Sequence, residues 1–319
     1  MIRRIFALLW TLLLLCAAAG AEQGDAVFPI ASSTASSSYT TLYSSSFSTT
    51  TLYYNERGLV TSIVESTSGT DPLTRNFFYT YDRLGNPKAV SVARAEDTEG
   101  VEAVTFQILN GYEGERVTSV TVQGLNISTV YTVLGSFSGY RDAVFTASNG
   151  TYQNRDGRPV SSRVEENGLT HSAAYAWENG RLTRQETLTE RNGRLISRLE
   201  ITFDAVGCPT GAATALLVNG TDTVAGSQRI AYTRTIDAYG TPCLQGHPDA
   251  ATLSGELSYP FSGAVWQCYL REDGTVRVWS YRGENAGMIC EYDARGNIVR
   301  LTETDRDSET VTFYSYQYR

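Results

Sequence analysis

An acidic residue followed three places later by glycine recurs along this chain, with an aromatic or branched residue ahead of it each time. The four full copies are Tyr81-Asp82-Arg83-Leu84-Gly85-Asn86, Phe203-Asp204-Ala205-Val206-Gly207, Ile236-Asp237-Ala238-Tyr239-Gly240 and Tyr292-Asp293-Ala294-Arg295-Gly296-Asn297. A looser copy is Tyr54-Asn55-Glu56-Arg57-Gly58, and degenerate ones end in Asp156-Gly157, Asn179-Gly180, Asn192-Gly193 and Asp273-Gly274. The spacing has a mechanism. A carboxylate at the first position of a type I turn accepts backbone N–H groups just ahead of it, and glycine three residues on takes a positive φ, which closes a β-hairpin with a bulge. The pairs Asp82 and Gly85, Asp204 and Gly207, Asp237 and Gly240, and Asp293 and Gly296 are therefore expected to be structural turn residues. Between them, alternating runs rich in Val, Thr, Tyr and Ile recur, and no long stretch after the first 21 residues has apolar residues at a period near 3.6.

The unit aromatic-Asp-x-x-Gly-[Asn/Arg]-hydrophobic resembles the YD repeat of RHS and teneurin-type proteins, and the resemblance runs loosely over most of residues 39–319. It implies an all-β fold in which repeats wind into long sheets. In large members of that family the sheet curls into a hollow shell around a C-terminal toxin. This chain is far shorter, and no toxin domain is expected after Phe313-Tyr314-Ser315-Tyr316-Gln317-Tyr318. The expected fold is an antiparallel meander of repeated β-hairpins forming one long, open, twisted or curved sheet. About 18 to 22 strands at ~4.8 Å spacing would give a ribbon too narrow for an encapsulating vessel. The meander is expected to continue through 111–150, with turns at Asn110-Gly111, Gly124-Leu125-Asn126 and Gly135–Gly139, and Asn219-Gly220 is the strongest two-residue hairpin signal.

The N-terminus reads as a secretory signal peptide over residues 1–21: Arg3 and Arg4, an apolar run from Ile5 to Cys16, then small residues to an expected cleavage after Ala21. Leu15 is not the small residue that a lipobox places before its cysteine, which argues against lipid anchoring at Cys16. Residues 22–38, rich in Ser and Thr, read as a flexible leader and 39–319 as a single repeat domain. The signal carries two of the 26 basic residues and none of the 34 acidic ones, so the exported chain has a formal charge near −10. Its arginines are dispersed and Lys88 is the only lysine, a balance that speaks against nucleic-acid partners.

Four cysteines follow the signal: Cys208, Cys243, Cys268 and Cys290. Cys268 and Cys290 occupy equivalent places in successive units. In a simple meander that puts them two strands apart, about 9.6 Å, beyond disulfide reach. Free thiols and at least one disulfide both stay open. No Cys-x-x-Cys is present and His171 and His247 lie far apart, so no zinc site and no cofactor is expected. Both histidines read as loop or surface residues. Two carboxylates at a set distance would serve a glycosidase, but the most regular acids are already the turn aspartates, and no catalytic residues are assigned. Pairing Glu272 with Thr275 across a two-residue turn places Trp266 opposite Tyr281 and Cys268 opposite Trp279 on one face. If exposed, Trp266, Trp279 and Tyr281 form a sugar-stacking platform; if covered, they are core. Asn126-Ile127-Ser128, Asn149-Gly150-Thr151 and Asn219-Gly220-Thr221 match the N-glycosylation pattern at turn-like positions.

These readings point to a non-catalytic, exported bacterial protein of the cell envelope or extracellular space, presenting an extended face to carbohydrate, cell wall or protein. The alternative is a structural or assembly component of an RHS-type system, self-associating or recruiting a protein partner through a sheet edge around Thr310–Tyr318.

Overall fold

The computed structural model describes residues 30–41, 44–94, 103–135, 137–218, 222–249 and 254–318. The signal peptide, Cys16 and the Asn219-Gly220 turn lie outside the described residues. The strands in chain order are β1 (Ile30–Thr41), β2 (Ser45–Tyr54), β3 (Val60–Thr67), β4 (Leu73–Tyr81), β5 (Pro87–Arg94), β6 (Val104–Glu113) and β7 (Arg116–Val122). After helix α1 (Ile127–Leu134) come β8 (Val144–Ala147), β9 (Gly150–Arg155), β10 (Arg158–Glu166), β11 (Leu169–Glu178), β12 (Arg181–Arg191), β13 (Arg194–Phe203) and β14 (Pro209–Val218). The last are β15 (Asp222–Ile236), β16 (Pro242–Pro248), β17 (Val265–Leu270), β18 (Val276–Arg282), β19 (Ala286–Tyr292), β20 (Ile298–Asp305) and β21 (Ser308–Tyr318). β1 runs through the Ser/Thr-rich stretch that composition alone assigns to a leader.

The open sheet is the expectation that the structure overturns. The 21 described strands belong to one sheet, and β1 pairs with β2 and also with β21, so the first of them is bonded to the last and the sheet closes as a β-barrel. Closure satisfies backbone groups that an open meander would leave along two edges. It also takes the free edge away from the segment Thr310–Tyr318. A ring with an odd number of strands cannot be antiparallel at every step, because each such step reverses direction and the reversals must be even in number. The parallel step between β7 and β8, Ser119 facing Val144, resolves this conflict. Parallel neighbours need a crossover, and α1 supplies it.

That crossover is a second correction, since 111–150 reads as continuing meander. Asn126 caps α1, its side-chain oxygen accepting the Thr129 N–H at 2.7 Å. Ile127, Val130, Tyr131 and Leu134 fall on one buried stripe. The helix is one stripe of eight residues, five of them β-branched, so local propensity favours strand and only packing against the sheet decides for helix. Asn110-Gly111 lies inside β6, and the chain turns at Gly114 (φ 64°) instead.

The turns follow the repeat. Gly85, Gly207, Gly240 and Gly296 have φ of 81°, 94°, 82° and 83°. Asp293 shows the bonding: one carboxylate oxygen accepts the N–H groups of Arg295 and Asn297, both at 2.8 Å, and the Gly296 N–H donates to the Asp293 carbonyl at 3.1 Å. Asp82, Asp204 and Asp237 bond in the same way. Asn55 joins them, accepting from Arg57 and Leu59 at 2.9 and 3.0 Å. Three of the degenerate copies, joined by Asn167-Gly168, form a different class, whereas Asp273-Gly274 has a positive φ at its glycine alone. Asp156-Gly157, Asn167-Gly168, Asn179-Gly180 and Asn192-Gly193 have positive φ at both residues, the two-residue hairpin turn whose twist matches that of strands.

The described residues divide into two compact units, one within 30–38, 46–164 and 313–318 and the other within 39–45 and 165–312. The first is built around a core in which α1 and the side chains of Phe137, Tyr140, Phe145 and Tyr152 pack on β3 to β9. Its rings meet edge to face, Phe137 to Tyr140 at 5.1 Å and Tyr140 to Phe145 at 5.6 Å. The second is a meander from β11 to β20. Among the described residues no helix is long and apolar enough to cross a membrane, a statement that does not extend to strands.

Candidate functional site

The second unit carries the two candidate surfaces. Its buried face holds two cross-strand rows. One is Gly246, Trp266, Tyr281, Met288 and Glu303; the other is Leu244, Cys268, Trp279, Cys290 and Leu301. The pairing of Trp266 with Tyr281 and of Cys268 with Trp279 is the one expected from sequence, but the turn that sets it differs. The Arg271 N–H donates to the Thr275 carbonyl at 2.8 Å, and a bulge between Tyr269 and Leu270 restores the register.

Trp266, Trp279 and Tyr281 are 0%, 4% and 5% exposed, so they are core and not a platform for sugar stacking. Phe261 covers them at 5.4 Å from Trp266 and 5.1 Å from Tyr281. Trp279 donates its indole N–H to the Tyr292 hydroxyl at 2.8 Å. Gly246 is required by this packing: an added Cβ would lie 2.8 Å from Tyr232 and 2.9 Å from Trp266. Glu303 ends the first row, and burial raises its carboxyl to about 7.

All four cysteines are free and buried. Trp279 separates Cys268 from Cys290, as the meander argument requires. Cys268 interacts instead with Cys208, and that interaction together with burial pushes its thiol well above the usual range. His171, read as a surface residue, is instead buried in β11 with Nδ1 at 3.2 Å from the Thr189 hydroxyl, and burial lowers its pKa. His247 is exposed on β16. Among the described residues no group of three or more His, Cys, Asp or Glu side chains is placed to hold a metal ion.

The opposite face of β12 to β15 carries an arrangement that sequence reasoning missed. Arg184 and Glu186 on β12 face Thr202 and Glu200 on β13. Arg184 reaches Glu186 at 3.2 Å and Glu200 at 2.8 Å, while Arg198 reaches Glu186 at 2.7 Å and Glu200 at 2.6 Å. These contacts hold Glu200 below the usual carboxylate range, against the effect of its partial burial. Beyond this wall β14 contributes only Gly211, Ala213 and Ala215, and β15 follows with Arg229, Ser227 and Ala225 in register. Side chains no longer than a methyl group between two longer rows leave a trough of about 410 Å³, lined by Glu200, Thr202, Gly211, Ala213, Ser227 and Arg229 among others. Gly211 cannot gain a side chain freely, since a Cβ would sit 2.6 Å from the Thr202 hydroxyl. The legible signals were the mirrored Arg184-Gln185-Glu186 and Arg198-Leu199-Glu200, which place like pairs on one face, and the run Gly211-Ala212-Ala213. A second pocket of about 280 Å³ lies along Glu256–Ser262, with Glu284 and Asn285.

No family model matches the chain, and no curated protein matches it. Among solved structures, a porin-like protein from Bacteroides uniformis is 10% identical with a TM-score of 0.31, over 91% of this chain and 98% of that one. A TcdB2-TccC3-TEV structure is 13% identical with a TM-score of 0.30, over 81% of this chain and 12% of that one. At these scores neither likeness bears on fold or function.

Proposed function

We propose that this chain is an exported, non-catalytic binding protein whose contact surface is the trough over β14. Its ligand is an extended, hydrogen-bonding polymer, and a glycan of the cell wall or cell surface is the class that suits the site first. The observation that carries this reading is the trough itself: a floor of Gly211 and Ala213 between a wall of paired charges and a wall of Ser227 and Arg229. The Arg184–Glu186–Arg198–Glu200 network fixes the first wall before any ligand arrives, which lowers the ordering cost of binding. Among the described residues no ring lines the trough, so recognition would run through hydroxyl, amide and charged groups. The rows continue along the strands, which suits a chain making many modest contacts.

The test is capture of the mature protein on isolated cell-wall sacculi and on a glycan array, with the Ala213→Leu variant in parallel. Retention of the wild type and its loss in the variant, at unchanged circular dichroism, is the expected result. Retention of neither, or equal retention of both, removes the reading. Retention only on immobilised polypeptide would keep the trough and replace the ligand class.

A further inference from the structure

Cys208 stands at the entry to β14 and Cys268 in the middle of β17, three strands further along the sheet. On a flat sheet that separation is about 14 Å. Their side chains nevertheless come within interaction range of each other, because the second unit curls and seats the turn between β13 and β14 on the β17–β18 hairpin. Three contacts fix this seat. The Val276 N–H donates to the Val206 carbonyl at 3.1 Å, a Cβ at Gly207 would lie 3.7 Å from Val276, and Phe203 meets Trp279 edge to face at 5.9 Å. The Cys208 N–H is held by Asp204 at 2.8 Å, and the Cys268 thiol also faces the Tyr232 hydroxyl at 3.6 Å. Cys208 is 1% and Cys268 0% exposed.

We propose that Cys208 and Cys268 are a disulfide-forming pair, oxidised as the exported chain folds. Each thiol loses its proton, one Sγ–Sγ bond forms, and the two electrons pass to a disulfide oxidant such as oxidised glutathione, which leaves as two thiols. Once the seat is closed the reduced pair is shielded, so oxidation belongs to folding and not to the finished fold. The bond ties the first residue before β14 to β17 and so anchors one end of the strand beneath the trough. It requires only the curl of the second unit and stands whether or not the trough binds a polymer. Cys290 stays reduced because Trp279 lies between it and Cys268, and Cys243 because its neighbour Leu244 is the residue that faces Cys268.

The experiment refolds the mature chain, residues 22–319, from reduced denatured protein in a glutathione redox buffer, then alkylates it in denaturant without reductant. Expected are two alkylated cysteines of the four, four after reduction, and a cross-linked peptide pair containing Cys208 and Cys268. Cys208→Ser, which keeps size and polarity, should give three alkylated cysteines and a lower melting temperature than the oxidised parent. In the parent, addition of a reductant before melting should bring it down to the variant's value. Four alkylated cysteines in the refolded wild type, or a cross-link joining any other pair, overturns the proposal. Failure of the variant to refold leaves the wild-type mapping decisive on its own.

Discussion

Replacing Asp293 by alanine removes one carboxylate and three of its hydrogen bonds. Its Oδ1 accepts the N–H groups of Arg295 and Asn297, both at 2.8 Å, and its Oδ2 accepts the Asn297 side-chain amide at 3.0 Å. Asn297 is 5% exposed, so its amide loses this bond where water reaches it poorly. At roughly 0.5 to 1.5 kcal/mol for each bond, and with part of the turn still open to water, Asp293→Ala should cost about 2 to 3 kcal/mol. Asp293→Asn should cost less than half of that, because the chain already contains the experiment: Asn55 holds the same turn with the same pair of backbone bonds. Urea unfolding followed by tryptophan fluorescence measures this locally, since Trp177, Trp266 and Trp279 all belong to the second unit. Equal losses for Ala and Asn, or no loss for Ala, would refute the claim that the carboxylate at this spacing is what writes the turn.

Gly246→Ala places a methyl group against Ile230, Tyr232 and Trp266, and should destabilise the second unit by about 1 to 3 kcal/mol in the same assay. Glu303 gives a pH signature. Its folded carboxyl titrates at about 7 against 4.5 when unfolded, so the native state binds the extra proton between those values and stability falls as pH rises from about 4.5 to about 7. The loss is at most about 3 kcal/mol, and Glu303→Gln should flatten that slope in melts taken across the range. Asn126→Ala removes the cap of α1 and should cost about 1 kcal/mol, read in the unfolding of the full chain.

Much of the local structure could be read from residue spacing. Asp-x-x-Gly and Asn-Gly encode their turns through short-range bonds, and alternation encodes which of Trp266, Cys268, Trp279 and Tyr281 share a face. Closure could not be read in this way, because the bonding of β1 to β21 joins the first described strand to the last, far beyond any local window, and the parallel step at β7–β8 rests on the crossover through α1. Helix α1 was hidden by its β-branched residues. The burial of Trp266, Trp279 and Tyr281 hung on Phe261 and on the curl that brings Phe203 to Trp279, contacts that no local window contains. The trough went unseen for a related reason: Gly211 and Ala213 look unremarkable until β13 and β15 raise longer side chains on either side. The contact of Cys208 with Cys268 defeats a flat-sheet argument that holds correctly for Cys268 and Cys290.

We place ligand contact on the exposed face of β12 to β15. Amide hydrogen exchange of residues 22–319, with and without the polymer that captures them, is the measurement to make. Added protection is expected at β13 to β15, around Glu200, Gly211, Ala213 and Ser227, and is expected to be absent in Ala213→Leu. Protection confined to the first unit or to the 256–262 loop, with β13 to β15 unchanged, would contradict it.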